Sequence, residues 1–176
     1  VSRNRSAIGD LVYRAKYQLE ASAKGQISTA SRHVVRQIFN SLNETHPLFG
    51  TANIRTVDAV VAVPFFAGKR NESDSVPHVM AKALSAELRV PDLSNDVRKI
   101  SETQEAKISR DAYSDSPDAK SFECRIELTG RRVLVLDDVY LSGSTMRALG
   151  SCLLEHGAGS LVGFCLAKAA SGMKLF

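Results

Sequence analysis

The residues best suited to chemistry in this chain stand together. Val133-Leu134-Val135-Leu136 runs into Asp137-Asp138-Val139-Tyr140, and Leu141-Ser142-Gly143-Ser144-Thr145 follows before a helix-like segment. Carboxylates accept hydrogen bonds from vicinal hydroxyls and can bind Mg²⁺ or its water shell. Gly143 permits a turn whose successive amides converge on an anion. The hydroxyls of Ser142, Ser144 and Thr145 add uncharged donors, and a helix beginning near Thr145 adds its positive end. A phosphate in that cup and a diol at the acids together describe a ribose 5-phosphate. The geometry asks both acids to leave a strand over 132–136 and turn toward its open end. The plainer alternative is a strand end with two solvated aspartates before an N-capping turn. A response-regulator-like acid cluster needs a further aspartate at another strand end, and Asp58, expected inside its strand, suits that poorly.

The elements that must position this segment follow from hydrophobic spacing. Ile8, Leu11, Val12, Ala15 and Leu19 recur at helical intervals, and so do Ile27, Val34, Val35, Ile38, Phe39 and Leu42, so two amphipathic helices are expected to open the chain. A connector over 46–55 leads to the β-branched run 57–63, a strand covered on both faces and ended by Pro64. After a loop over 65–75, Val76, Val79, Met80, Ala83, Leu84 and Leu88 predict a helix that accepts Pro77 in its first turn and stops by Pro91.

Residues 92–121 are polar, with Ile100 and Ile108 as anchors for a short hairpin; a stretch of this kind suits a lid. The pieces 122–126 and 132–136 are expected to rejoin the sheet. A helix with Met146, Leu149, Leu153 and His156 on one side ends at Gly157-Ala158-Gly159, and 161–166 forms a further buried strand. The alternation of strand and helix predicts an α/β fold, a parallel sheet flanked by helices with ligands at the carboxyl ends of its strands.

Composition bounds the rest. At 176 residues, 44% hydrophobic and 24% charged, the chain is expected to form one domain over 1–176, with N-terminal helices over 1–45 and a core over 56–168. Lysine and arginine outnumber acids 23 to 19. The excess gathers at Arg3, Arg5, Arg14, Lys16, Lys24, Arg32 and Arg36, against Asp10 and Glu20. It suits a polyanionic partner or phosphorylated substrate, or more plainly a solvated helix face; Tyr13 and Tyr17 alone interleave with it. Cys124, Cys152 and Cys165 lack paired short spacing and read as reduced, buried residues. With no signal-like segment and no apolar run of membrane-spanning length, a soluble cytoplasmic protein without a membrane span is expected. Val1 is not an initiator methionine, which fits a processed chain or a piece of a longer one.

The strand, the acid pair Asp137-Asp138, the loop Ser142-Gly143-Ser144-Thr145 and the helix occur in the order of the phosphoribosyl-pyrophosphate (PRPP) signature, and the segment resembles that of type I phosphoribosyltransferases. Serine stands where that loop's first threonine would be. Within the family, Asp-Asp-Val-Tyr and the preceding Leu128-Thr129-Gly130-Arg131-Arg132 are similar to the ComF-like, competence-associated branch, as are Lys16-Tyr17 and Val61-Ala62-Val63-Pro64. The branch's Arg-Gly-Phe-Asn segment is replaced by Glu72-Ser73-Asp74-Ser75, and no zinc-binding cysteine module precedes the domain. The resemblance is specific over 128–168, looser over 8–88, and reduced to Ile108-Ser109-Arg110 between.

The resemblance implies a type I phosphoribosyltransferase-like fold with a long polar lid loop and Mg²⁺-dependent transfer from PRPP to a small-molecule acceptor, a nucleobase or amine. It implies Asp137 and Asp138 as catalytic and metal-binding residues, and Val139, Leu141, Ser142, Gly143, Ser144 and Thr145 as the ribose-phosphate cup. The loop 65–70 takes the place of the pyrophosphate loop, which makes Lys69 and Arg70 candidates for the diphosphate, although Phe65 and Phe66 replace the small residues often found there. Lys107 and Arg110 fall in the mobile catalytic loop. Lys168 is a weaker candidate. Enzymes of 6-oxopurine salvage carry an acid at the position matched by Leu141, and leucine can neither donate nor accept a proton, which argues against hypoxanthine or guanine. His33, His46, His78 and His156 are expected to be structural. The alternative keeps the fold and drops the catalysis: a PRPP- or nucleotide-binding module acting in DNA uptake or regulation, with DNA or a DNA-processing protein as partner. A homodimer is open to either.

Overall fold

A computed structural model of the chain describes residues 7–18, 21–41 (backbone alone from 34), 57–65, 75–100 and 121–168. Helix α1 (Ala7–Tyr13) passes into a π-helical turn, Arg14–Gln18, and α2 (Ala21–Ser41) follows. The first expected helix is therefore two pieces. Strand β1 (Ala59–Ala62) leads to α3 (Val76–Leu88), and a short 3₁₀ turn, Ser94–Asp96, precedes β2 (Val97–Lys99). Then come β3 (Phe122–Cys124), β4 (Arg132–Tyr140), α4 (Ser144–Glu155) and β5 (Ser160–Lys168).

The main sheet is parallel, in the order β1-β4-β5. Val61 stands opposite Val135 in one ladder, and Val135 opposite Gly163 in the other. On the outer side of β1 the segment after α3 begins a further parallel pairing: Val60 N–H donates to Pro91 O at 3.0 Å and Leu93 N–H to Val60 O at 2.9 Å. Ser94, buried, completes it by accepting from Ala62 N–H at 2.8 Å. Asp58 lies just before β1 and is exposed, not inside the strand, and its carboxylate accepts from Arg132 N–H at 2.8 Å.

Local chemistry explains the boundaries. Ser75 caps α3, its hydroxyl accepting from His78 N–H, and Pro77 sits in the first turn where no amide is needed. Arg89 ends the helix in the left-handed region at φ 56°, and Pro91 prevents its return. His78 is buried, its Nδ1 2.8 Å from Ser75 Oγ, which accords with the structural role expected of it.

The strands bury both faces. Val60, Ala62, Leu134 and Leu136 pack with Ala15, Ala23, Ile27, Met80 and Leu84 on the face covered by α1, α2 and α3. Ala59, Val61, Val133 and Val135 pack with Leu149, Leu153 and Phe122 on the other, under α4 and the β2–β3 pair. Each fully buried leucine contributes about 2 kcal/mol of apolar burial. This double cover matches the unbroken apolar runs in the sequence.

Three expectations are corrected. The piece beginning at Phe122 does not rejoin the main sheet; β3 pairs antiparallel with β2, Lys99 opposite Phe122. Among the described residues that hairpin is built on Val97–Lys99, with Ile100 N–H bonded to Ser121 O at 2.9 Å, and Ile108 lies outside them. Strand β5 is half-buried along most of its length rather than buried, because β4 is its sole strand partner among the described residues.

Candidate functional site

Strand β4 runs through Tyr140, beyond the end at Leu136 read from the sequence, because its pairing with β5 continues: Asp137 opposite Cys165, Val139 opposite Ala167, Tyr140 opposite Lys168. Strand alternation then governs the acids. In the pleat Asp137 continues the row of Val133 and Val135 and Asp138 that of Leu134 and Leu136, yet the two carboxyls stay close enough to interact.

Asp138 is 4% exposed, and its Oδ2 lies 2.6 Å from Lys16 Nζ. Lys16 comes from the π-helical turn, a widened helical geometry found in short pieces and often at functional sites. Its ammonium is also 5.8 Å from the ring centroid of Tyr17 and 6.0 Å from that of Phe65, the residue at which the chain leaves β1. Burial pulls the lysine's proton affinity down, and the Asp138 carboxylate more than restores it, leaving Lys16 above its ordinary value. Asp137 differs. Burial first and the Asp138 charge second push its carboxyl up to about 7, while the Asp138 N–H donated to Asp137 Oδ1 at 2.8 Å and the Lys16 charge work against that rise. The facing thiol of Cys165 is raised to about 12 by burial and by the two carboxylates, so it stays a neutral S–H donor, 3.8 Å from Met146 Sδ.

The cup beyond the acids matches its sequence description. Gly143 adopts φ 73° and ψ 6°, and serves as N-cap of α4 without offering a side-chain cap. The first-turn amides of a helix have no carbonyl behind them within the helix, so this start presents donors toward the turn. Ser142 Oγ–H donates to Ser144 Oγ at 2.9 Å and accepts from Ser144 N–H at 3.3 Å. The Arg147 guanidinium donates to Ser142 O at 2.9 Å and brings a positive charge to the rim. Tyr140 closes the other side: a Cβ at position 143 would stand 2.6 Å from its Cε2. Leu141 is 62% exposed at the turn.

Solved structures similar to this chain include phosphoribosyltransferases. They include a hypoxanthine-guanine-xanthine phosphoribosyltransferase, at 15% identity and TM-score 0.44, the match covering 87% of this chain and 68% of that one. The HGPRT-ase from Leishmania tarentolae in complex with GMP matches at 15% identity and TM-score 0.47, over 87% and 72% of the two chains. The hypoxanthine phosphoribosyltransferase from Trypanosoma cruzi, complexed with the product IMP, matches at 12% identity and TM-score 0.43, over 84% and 76%. No family model matches the chain, and no curated protein does.

Among the described residues no three His, Cys, Asp or Glu side chains converge as a metal-ligand set. The Asp137 and Asp138 carboxyls lie close enough to interact with each other, and Lys16 lies on Asp138. A metal ion reaching Asp138 Oδ2 would meet the Lys16 ammonium there.

The structure thus brings together Asp137, Asp138, Val139, Leu141, Ser142, Gly143, Ser144 and Thr145. Lys168 ends β5 beside Tyr140, exposed. Lys69, Arg70, Lys107 and Arg110 lie outside the described residues. Sequence reasoning missed Lys16 and Arg147 as site residues. Lys16 carried a signal, since a lysine between Ala15 and Tyr17 on an apolar-spaced helix departs from a solvated face. Arg147 carried one too: three residues past Ser144, it returns to the same helical face one turn on.

Proposed function

We propose that this chain is a single-domain phosphoribosyltransferase of the ComF-like branch. It binds PRPP at Asp137, Asp138 and the 139–145 turn, and transfers the phosphoribosyl group to a nucleobase or amine. The acceptor nitrogen attacks the anomeric carbon and diphosphate departs. One observation carries the reading: an acid pair near the end of a central parallel strand passes through a left-handed Gly143 turn into the N-terminus of α4. The cup takes the 5-phosphate on amides and hydroxyls. The carboxylates accept from the ribose hydroxyls. Magnesium enters as the counter-ion of the PRPP diphosphate and belongs to the substrate. Lys69 and Arg70 are proposed for the diphosphate, with Lys107 and Arg110 on the loop that covers the reacting centre.

Leu141 at the turn supports an acceptor other than a 6-oxopurine, since such a base needs a proton-transferring group that leucine lacks. Pyrophosphate release measured across a panel of nucleobases and amines tests the transfer: release with at least one acceptor is expected. A second reading, a PRPP- or nucleotide-binding module acting in DNA uptake or regulation, is favoured by one observation, the ammonium of Lys16 seated on an acid of the pair. Tight PRPP binding without pyrophosphate release from any acceptor would select it. A steep fall of DNA binding with added salt would support its DNA form.

A further inference from the structure

Lys16 Nζ lies 2.6 Å from Asp138 Oδ2, and the rings of Tyr17 and Phe65 lie within 6.0 Å of it. Three separate pieces of chain meet there: the π-helical turn, β4 and the exit of β1. An exposed ion pair of this kind contributes little, because water screens it and two long side chains lose freedom. This pair is different. Asp138 is 4% exposed and the lysine side chain 26%, so the pair is largely shielded from solvent. Aromatic rings favour a cation beside them, and the carboxylate is its charged acceptor.

A cation at an acid pair beside a phosphate cup is ordinarily a divalent ion carried in by solvent or ligand. Here the chain provides one. The ammonium removes one of the two negative charges that would otherwise repel a phosphate monoester, and a metal ion seeking Asp138 would have to displace a like charge. We propose that Lys16 is the resident cation of the acid pair, taking at Asp138 the place a divalent metal would take, so that the site binds a ribose phosphate with no added metal. The inference rests on the reading of the site as a ribose-phosphate site.

Calorimetric titration with ribose 5-phosphate tests it, because this ligand lacks the diphosphate that carries its own magnesium. Intact protein is expected to bind equally in EDTA and in excess Mg²⁺. Lys16→Met is expected to lose about tenfold or more in EDTA and to recover most of that with Mg²⁺ or Mn²⁺, while Lys16→Arg keeps the metal-free binding. Circular dichroism confirms that each variant is folded, and the intact protein's two titrations decide even where Lys16→Met is not. Binding by intact protein that needs Mg²⁺ overturns the inference and leaves the ribose-phosphate reading standing. Undiminished binding by folded Lys16→Met in EDTA does the same. No binding by intact protein under either condition overturns both.

Discussion

Asp138 Oδ2 lies 2.6 Å from Lys16 Nζ, while the neighbouring Asp137 carboxylate accepts from Asp138 N–H. The same substitution is therefore expected to act differently at the two positions. Asp138→Asn leaves a half-buried ammonium against a neutral amide, and a loss of about 2 kcal/mol follows. Asp137→Asn removes a charge that burial and its neighbour both disfavour, so stability is expected to stay level or rise by up to about 1 kcal/mol. Urea denaturation of the two variants checks this; equal losses would contradict it.

Stability is expected to carry a pH signature from Asp137. Its folded carboxyl is raised from 3.8 to about 7, so between those values the folded chain holds a proton that the unfolded chain has released. By linkage, stability falls as pH rises through that window and levels off above it. Denaturation midpoints of Asp137→Asn, compared with the intact chain across the window, should lack this fall. A fall of equal size in the variant would assign it elsewhere.

Gly143→Ala tests the cup. The residue sits at φ 73°, where a Cβ costs about 1 kcal/mol, and that Cβ would meet the Tyr140 ring. A loss of ribose 5-phosphate affinity of about tenfold is expected with the protein still folded. Calorimetry showing unchanged affinity would mean the turn does not hold the phosphate.

Gly159→Ala tests the fold apart from the site. A Cβ there would stand 2.7 Å from Gly130 O, a backbone atom near the amino end of β4. A stability loss of about 2 kcal/mol is expected, with ligand affinity unchanged below the melting transition. Thermal melting and calorimetry together separate these effects.

Much of this architecture is legible in local sequence, because local chemistry specifies it. Val133 to Leu136 and Ala59 to Ala62 are apolar without alternation, as strands buried on both faces must be, and Ser75, Pro77 and Pro91 mark the bounds of α3. Gly143 in the left-handed region was readable from its place between serines at a strand-to-helix turn. What escaped depends on contacts distant in sequence. Strand β4 continues past Leu136 because β5, more than twenty residues on, pairs with it through Tyr140, and no local pattern carries that register. The partner of Asp138 lies more than a hundred residues earlier, in a helical turn whose π geometry is set by packing rather than propensity. For the same reason β3 could not be assigned to β2: the pairing spans 101–120 and rests on three residues from each strand.

The most direct test of the central claim is isothermal titration of PRPP, in the presence of Mg²⁺, into the intact chain and into Asp137→Asn/Asp138→Asn. The intact chain is expected to bind and the double variant, shown to be folded, is expected not to. Absence of binding by the intact chain, or equal binding by both, would contradict the assignment of this segment as a ribose-phosphate site.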